Sequence, residues 1–392
     1  MSRLTGRPRR QLRLFGRRRD AGGVAVIIGI LTATGVLLGM AALAVDVGQL
    51  YAEREELQSG ADGVANAVAL DCAARRTAEC TSNPTDAKLQ YGNGNAKDGL
   101  NDVREVCGDT SVGGGASLLP ACSGVYPDNL TNCIGEIPPN TKGYVQVHTR
   151  TLRDDPSRYI LPPTFAQTLA GGFDDTTVKA CSRVAWGTPM TGVALTFCED
   201  EYNAITNNGT KLAPAPPALP DPPLDYEQKF NLLTPGGGGP GGGTGGPCDD
   251  GPSGWDLPGD FGWLDPINDR CEALIDAVYD PMPGVRAPSG CKAAFEYIVP
   301  NHIPVAIPIF DGSGGTGSGG SYVLKGIAAI VFTGYNIPAV GTEASLLTGR
   351  ECTGSDKCLF GYFTQGVTSL SEWNGQFSST PSFGAVAIKT VG

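Results

Sequence analysis

The sequence predicts an α+β protein in which a single N-terminal transmembrane helix continues into a long helix. A small membrane-proximal α+β module follows, then a β-rich, disulfide-containing domain with long Gly/Pro loops. Three observations predict this. No charged residue lies between Asp20 and Asp46, all twelve cysteines come after that stretch, and a helical pattern then gives way to alternating segments punctuated by glycine and proline. The expected divisions are a cytoplasmic Arg-rich tail over 1–20, the transmembrane helix over 21–45, the α+β module over 46–188, and the β-rich domain over 189–392 with a flexible Gly-rich loop at 235–247.

The run Ala21–Val45 is rich in valine, isoleucine and leucine. As a helix it would extend ~36 Å, enough to cross a ~30 Å hydrocarbon core with some tilt. Arg17, Arg18 and Arg19 abut its front edge and acidic residues follow its back edge. The positive-inside rule then places the tail in the cytoplasm and the body outside. Ala42-Leu43-Ala44 has the form of a signal-peptide cleavage site, but the apolar stretch is longer than the ~7–15 residues of a signal-peptide core, so retention is expected. Within the span Gly35 and Gly39 form a G-x-x-x-G, which lets two membrane helices approach closely.

Asp46–Leu70 carries on without proline. Leu50, Leu57, Ala61, Val64 and Val68 recur at helical spacing, in a stretch rich in alanine and glycine. Such a stripe packs either on its own domain or on another subunit. Residues 71–140 read as loop. Tyr144–Thr151 and Thr176–Trp186 read as strands, with a short helix at Thr164–Leu169 between them. Val193–Phe197 is a further short strand, and Trp255, Phe261 and Trp263 suggest core. Ile303–Phe310 and Tyr322–Thr333 are the clearest strands and are expected to pair as an antiparallel hairpin across the Gly-rich Asp311–Ser321 turn. Phe360–Val367 and Ala385–Val391 complete the β-rich half.

Composition narrows the function. Hydrophobic residues are 41% and charged residues 18%, so a packed core is possible. Residues 1–20 hold eight arginines and one aspartate, which leaves the rest with 21 basic and 39 acidic residues. A body that acidic is unsuited to nucleic acid, since phosphate affinity needs clustered Lys and Arg.

The candidate disulfide cysteines are Cys72, Cys80, Cys107, Cys122, Cys133, Cys181, Cys198, Cys248, Cys271, Cys291, Cys352 and Cys358. An even number, confined to the expected outer side and without C-x-x-C, fits an oxidising compartment better than zinc. Connectivity stays open. Sequence proximity favours Cys352–Cys358, Cys271–Cys291 and Cys198–Cys248, then Cys72–Cys80 and Cys122–Cys133.

Catalytic chemistry is poorly supplied. The two histidines, His148 and His302, have no flanking catalytic motif, and neither a G-x-S-x-G nor a P-loop occurs. Asp249-Asp250-Gly251 lacks the spacing of an EF-hand loop. No catalytic residue, cofactor or metal site is expected.

The order of residues around the apolar run carries a resemblance. Arg19-Asp20-Ala21-Gly22-Gly23 precedes it, Val45-Asp46-Val47-Gly48-Gln49-Leu50-Tyr51 closes it, and Arg54-Glu55-Glu56-Leu57-Gln58-Ser59-Gly60-Ala61-Asp62 follows. Over residues 19–71 the chain resembles TadE/TadG-like proteins of the tight-adherence (Flp) type IV pilus assembly system. The segments Phe261–Asp265 and Ile307–Asp311 look like the C-terminal part of long actinobacterial members. Two positions depart from the pattern. Ile28 stands where prepilin-like members carry glutamate, five residues after the processing glycine, and Gly315 stands where a metal-adhesion motif would have its second serine. The resemblance implies a membrane-anchored, extracytoplasmic, non-enzymatic component of pilus assembly. Its partners would be the lipid bilayer and other pilus-assembly or pilin subunits. The alternative is a membrane-tethered adhesin or binding module outside any pilus system.

Overall fold

A computed structural model describes residues 21–33, 35–74, 78–83, 86–111, 116–122, 132–152, 176–231, 261–267, 270–275, 287–314, 321–353, 357–367 and 376–392. The Arg-rich tail, the expected short helix at Thr164–Leu169, the loop at 235–247, Trp255 and Cys248 lie outside these residues.

The apolar run is helical but not one helix. α1 (Ala21–Ala33) and α2 (Val36–Ala73) meet at Gly35, which has φ 69° in the left-handed region that glycine adopts without steric cost. α1 has 13 residues, too short to cross a bilayer. α2 has 38 and gathers charge from Asp46 onward. Among the described residues no helix is long and apolar enough to cross a membrane. The expected single spanning helix over 21–45 is corrected accordingly: the run is apolar and helical on both sides, but the left-handed Gly35 conformation divides it into two helices.

Helices α3 (Asp86–Asn93), α4 (Glu199–Thr206) and α5 (Cys291–Ile298) are short. The strands are β1 (Asn101–Asp109), β2 (Thr141–Thr151), β3 (Lys179–Pro189), β4 (Thr191–Val193), β5 (Leu195–Cys198), β6 (Gln228–Asn231), β7 (Phe261–Trp263), β8 (Glu272–Leu274), β9 (Val305–Gly314), β10 (Ser321–Ile337), β11 (Gly341–Glu343), β12 (Cys358–Thr364), β13 (Gly366–Val367), β14 (Phe377–Ser378), β15 (Ser382–Phe383) and β16 (Ala385–Thr390).

One sheet has the order β1-β2-β3-β16-β13, with β14 also on β3. α2 lies across one face of it. Period-two alternation sends Val145, Val147, Val184 and Trp186 toward the helix, where they join Ala61, Val64, Ala65 and Val68 in one core. Small residues on α2 bring the helix close. A Cβ on Gly60 would collide with the Asn101 side chain and come within 3.0 Å of the Gly92 carbonyl oxygen.

The second sheet has the order β6-β12-β10-β9-β5-β7, with β11 and β15 also on β10. The expected hairpin is its centre, since β9 and β10 pair antiparallel from Gly314↔Ser321 to Val305↔Ile330. Its core is aromatic. Phe197 and Phe230 pack edge to face at 4.7 Å, as do Tyr202 and Phe363 at 4.9 Å, and Trp263 is buried among them.

Two further expectations change. The loop-like stretch 71–140 contains α3 and β1, and β1 pairs with β2 along most of its length. The division at 188/189 is crossed twice: β16 pairs with β3 from Ala387↔Gly187 to Thr390↔Val184, and β14 also pairs with β3. The first sheet is thus completed by strands from beyond residue 376, through long-range pairing that no local pattern announces.

Candidate functional site

α1 and the first turns of α2 present large apolar side chains with nothing of the described protein over them. Val24 is 57% exposed and Met40 67%, and Val26, Ile27, Ile28, Ile30, Leu37 and Leu43 are also exposed. An apolar patch of that extent marks a contact surface, because water would otherwise solvate it at a cost. At the break, Thr32 Oγ1 donates to the Ile28 carbonyl at 2.7 Å and the Gly35 amide donates to the Thr32 carbonyl at 3.1 Å. The Gly39 amide donates to the Gly35 carbonyl at 2.8 Å. These bonds satisfy the Gly35 and Gly39 amides and engage the Ile28, Thr32 and Gly35 carbonyls around the bend. Neither Gly35 nor Gly39 has an atom within 4 Å of where a Cβ would sit.

Further along α2 the character reverses. Leu50 is half-buried, and Leu57, Ala61, Val64 and Val68 are buried. Thr149 Oγ1 donates to the Leu57 carbonyl at 3.0 Å, and Gln58 Nε2 donates to the Cys181 carbonyl at 3.0 Å. The stripe faces the chain's own sheet. One helix therefore has two ends of different chemistry, one open and apolar, the other fixed to the body.

The described disulfides are Cys72–Cys80, Cys107–Cys122, Cys133–Cys181, Cys271–Cys291 and Cys352–Cys358. No free cysteine occurs among the described residues. The expected Cys122–Cys133 pair is corrected: Cys122 joins β1 and Cys133 joins β3, so proximity in sequence gave way to proximity in the sheet. Cys198 is also disulfide-bonded, and its expected partner Cys248 lies outside the described residues.

The histidines do not form a reacting centre. His148 is fully buried and lies opposite Cys181 across β2 and β3. Arg183 Nη2 and Nε donate to Gln146 Oε1 at 2.7 and 3.0 Å, which turns the Gln146 amide nitrogen toward His148 Nε2 at 2.6 Å. With that nitrogen accepting, the imidazole proton sits on Nδ1. His148 Nε2 is 3.6 Å from Cys181 Sγ, which is tied up in a disulfide and cannot act as a nucleophile. His302 edges a depression of about 460 Å³ lined with Pro217, Leu219, Ile303 and Pro304. Its Nε2 is shut away from solvent, with no hydrogen-bond partner among the described residues.

A second polar cluster lies in the β-rich part and is absent from the sequence reading. Glu227 is buried and accepts from Thr333 Oγ1 and Ser345 Oγ, each at 2.5 Å, and from Thr348 Oγ1. Arg350 Nη2 donates to Glu227 Oε2 at 3.0 Å and to its carbonyl at 2.9 Å, and the guanidinium stacks over Phe360 at 5.2 Å. Burial, and secondarily the Glu227 carboxylate, pushes the Tyr362 phenol up to about 12. These groups satisfy one another, and the arrangement pins the segment after β11 to the sheet.

Residues 22–73 match the family model described as Tad, putative Flp pilus-assembly TadE/G-like. Over these residues the N-terminal segment is similar to that family. The match covers both the exposed apolar part and the packed stripe, and it agrees with the resemblance read from the residues. No curated protein matches, and no solved structure matches.

Proposed function

We propose that the chain is a membrane-anchored, extracytoplasmic component of Flp pilus assembly, without enzymatic activity. The TadE/G-like match over 22–73 supports the pilus role. The observation that carries the anchor is the uncovered apolar surface of α1 and the start of α2. Together they form a bent apolar segment that enters the bilayer from the Arg-rich side. A glycine bend is tolerated in lipid where neighbouring groups satisfy the backbone, as Thr32 and the Gly35 amide do here. The disulfides support an oxidising, extracytoplasmic setting for the body. Assembly partners would meet the segment around Gly39, whose side is open. A photo-crosslinking residue at Met40 tests this in cells: adducts with pilus subunits or assembly proteins are expected, and lipid adducts alone would count against a partner there.

A further inference from the structure

We infer that the Cys133–Cys181 disulfide is a thiol-exchange site, opened by dithiols at Cys133 and served by His148 at Cys181. The sheet sets the geometry. β1, β2 and β3 pair Glu105 with His148 and His148 with Cys181, so the three side chains stand in one row on the face turned away from α2. Gln146 and Arg183 form the next row of that face. His148 is fully buried, and its Nε2, which accepts from the Gln146 amide, lies 3.6 Å from Cys181 Sγ. Of the described disulfides this is the one with an imidazole against its buried sulfur. The two sulfurs differ in access. Cys181 is 6% exposed, whereas Cys133 is half-buried on the segment before β2, beside an Ile134 that is 78% exposed. An incoming thiolate therefore meets Cys133 first. Its bond to Cys133 forms as the Cys133–Cys181 bond breaks, and Cys181 leaves as a thiolate with the electron pair. The second thiol of the dithiol then attacks the newcomer's own sulfur, closes its ring disulfide and releases Cys133. The dithiol is oxidised, both cysteines are reduced, and the dithiol's protons end on them. While the bond is closed Cys181 is no nucleophile, but the thiol it becomes has an acceptor in place. Transfer of its proton to His148 Nε2 leaves a thiolate beside an imidazolium, the form that re-closes the bond by attack on a mixed disulfide. By microscopic reversibility the same imidazolium stabilises Cys181 as it leaves, and a carboxylate at Glu105 favours the imidazolium. Opening frees the segment that Arg183 Nη1 also holds, through the Gly135 carbonyl at 3.0 Å. A purely structural disulfide is the rival reading.

The test exposes the full oxidised chain, in mild detergent near neutral pH, to limiting dithiothreitol. Samples are quenched at intervals, alkylated, and mapped by mass spectrometry for each disulfide. Cys133 and Cys181 are expected to become labelled about tenfold or more faster than Cys72, Cys80, Cys271 and Cys291, whose sulfurs are all buried. Glutathione in place of dithiothreitol should leave its adduct on Cys133 and not on Cys181. His148→Gln should slow the opening about tenfold. It should leave unchanged the opening of Cys107–Cys122 and Cys352–Cys358, each of which has one half-buried sulfur but no imidazole beside the other. A variant that merely loosens the fold would open the bond faster, so slowing is a result that structural damage does not mimic. Glu105→Gln, a change at a half-buried site, should slow the opening severalfold in the same way. Opening of all the disulfides in one step, an adduct on Cys181, or a rate that neither variant lowers would overturn the proposal.

Discussion

Glu227 shows how a single buried charge is stabilised by groups scattered along the chain. Thr333, Ser345, Thr348 and Arg350 reach it from more than a hundred residues away. No spacing rule links such positions, so the cluster was illegible in the sequence, whereas His148 and Cys181 stand directly opposite each other on two strands that alternation did reveal. Replacing Arg350 by alanine leaves a buried carboxylate with hydroxyl donors alone. Breaking a buried pair costs ~3–5 kcal/mol. Arg350 is itself partly exposed, so about 3 kcal/mol is expected, measured by denaturant unfolding. Tyr362 is the converse case, with a fully buried hydroxyl lacking a hydrogen-bond partner among the described residues. Its phenol ionises near 10.0 when unfolded and at about 12 when folded. The folded state therefore holds its proton longer, and the associated stability is complete below pH 10 and lost as pH rises toward 12. Tyr362→Phe should leave stability at pH 7 unchanged or raised and flatten that alkaline decline, as read from melting temperature against pH.

At the scale of elements, α2 was the most legible part. Spacing of three and four located Leu57, Ala61, Val64 and Val68, and burial of each against β2 and β3 explains that spacing. What sequence could not show is which body the stripe would pack on, since a stripe of small residues suits the chain's own sheet and another subunit equally. The bend at Gly35 was hidden for a related reason: glycine permits the left-handed conformation but does not require it. Val64→Asp puts a charge into a fully buried site and should unfold the first sheet's core, with a large loss of melting temperature. Replacing Gly39 and Gly35 should separate two effects. Gly39→Leu lies on regular helix with open space around it, so protein level should stay normal while piliation falls if a partner meets that side. Gly35→Leu forces a branched side chain into φ 69° and should alter the bend itself. Normal piliation with Gly39→Leu would remove the partner from that face. The short helices α3 and α5 escaped notice because each is barely two turns and anchored by tertiary contacts, α5 through Cys271–Cys291 and Phe295.

Across the whole molecule, an apolar, uncovered N-terminal segment joins a disulfide-linked body through one helix. Composition and cysteine placement made the contrast between an apolar N-terminal segment and a disulfide-linked body legible. The return of β16 to β3 was not, because long-range strand order is set by packing of the assembled sheets. Full reduction should lower the body's melting temperature markedly, since a native disulfide in a small secreted domain contributes ~2–5 kcal/mol. Protein isolated in the presence of an alkylating agent should show no reactive thiols before reduction. The anchor with its body outside is tested most directly by labelling spheroplasts with a membrane-impermeant amine reagent and locating modified lysines by mass spectrometry. Residues 1–20 contain no lysine, whereas Lys292 stands on the body with its side chain 61% exposed. Extracytoplasmic placement requires Lys292 to be modified in intact spheroplasts to the same extent as after permeabilisation. Modification only after the membrane is opened would contradict it.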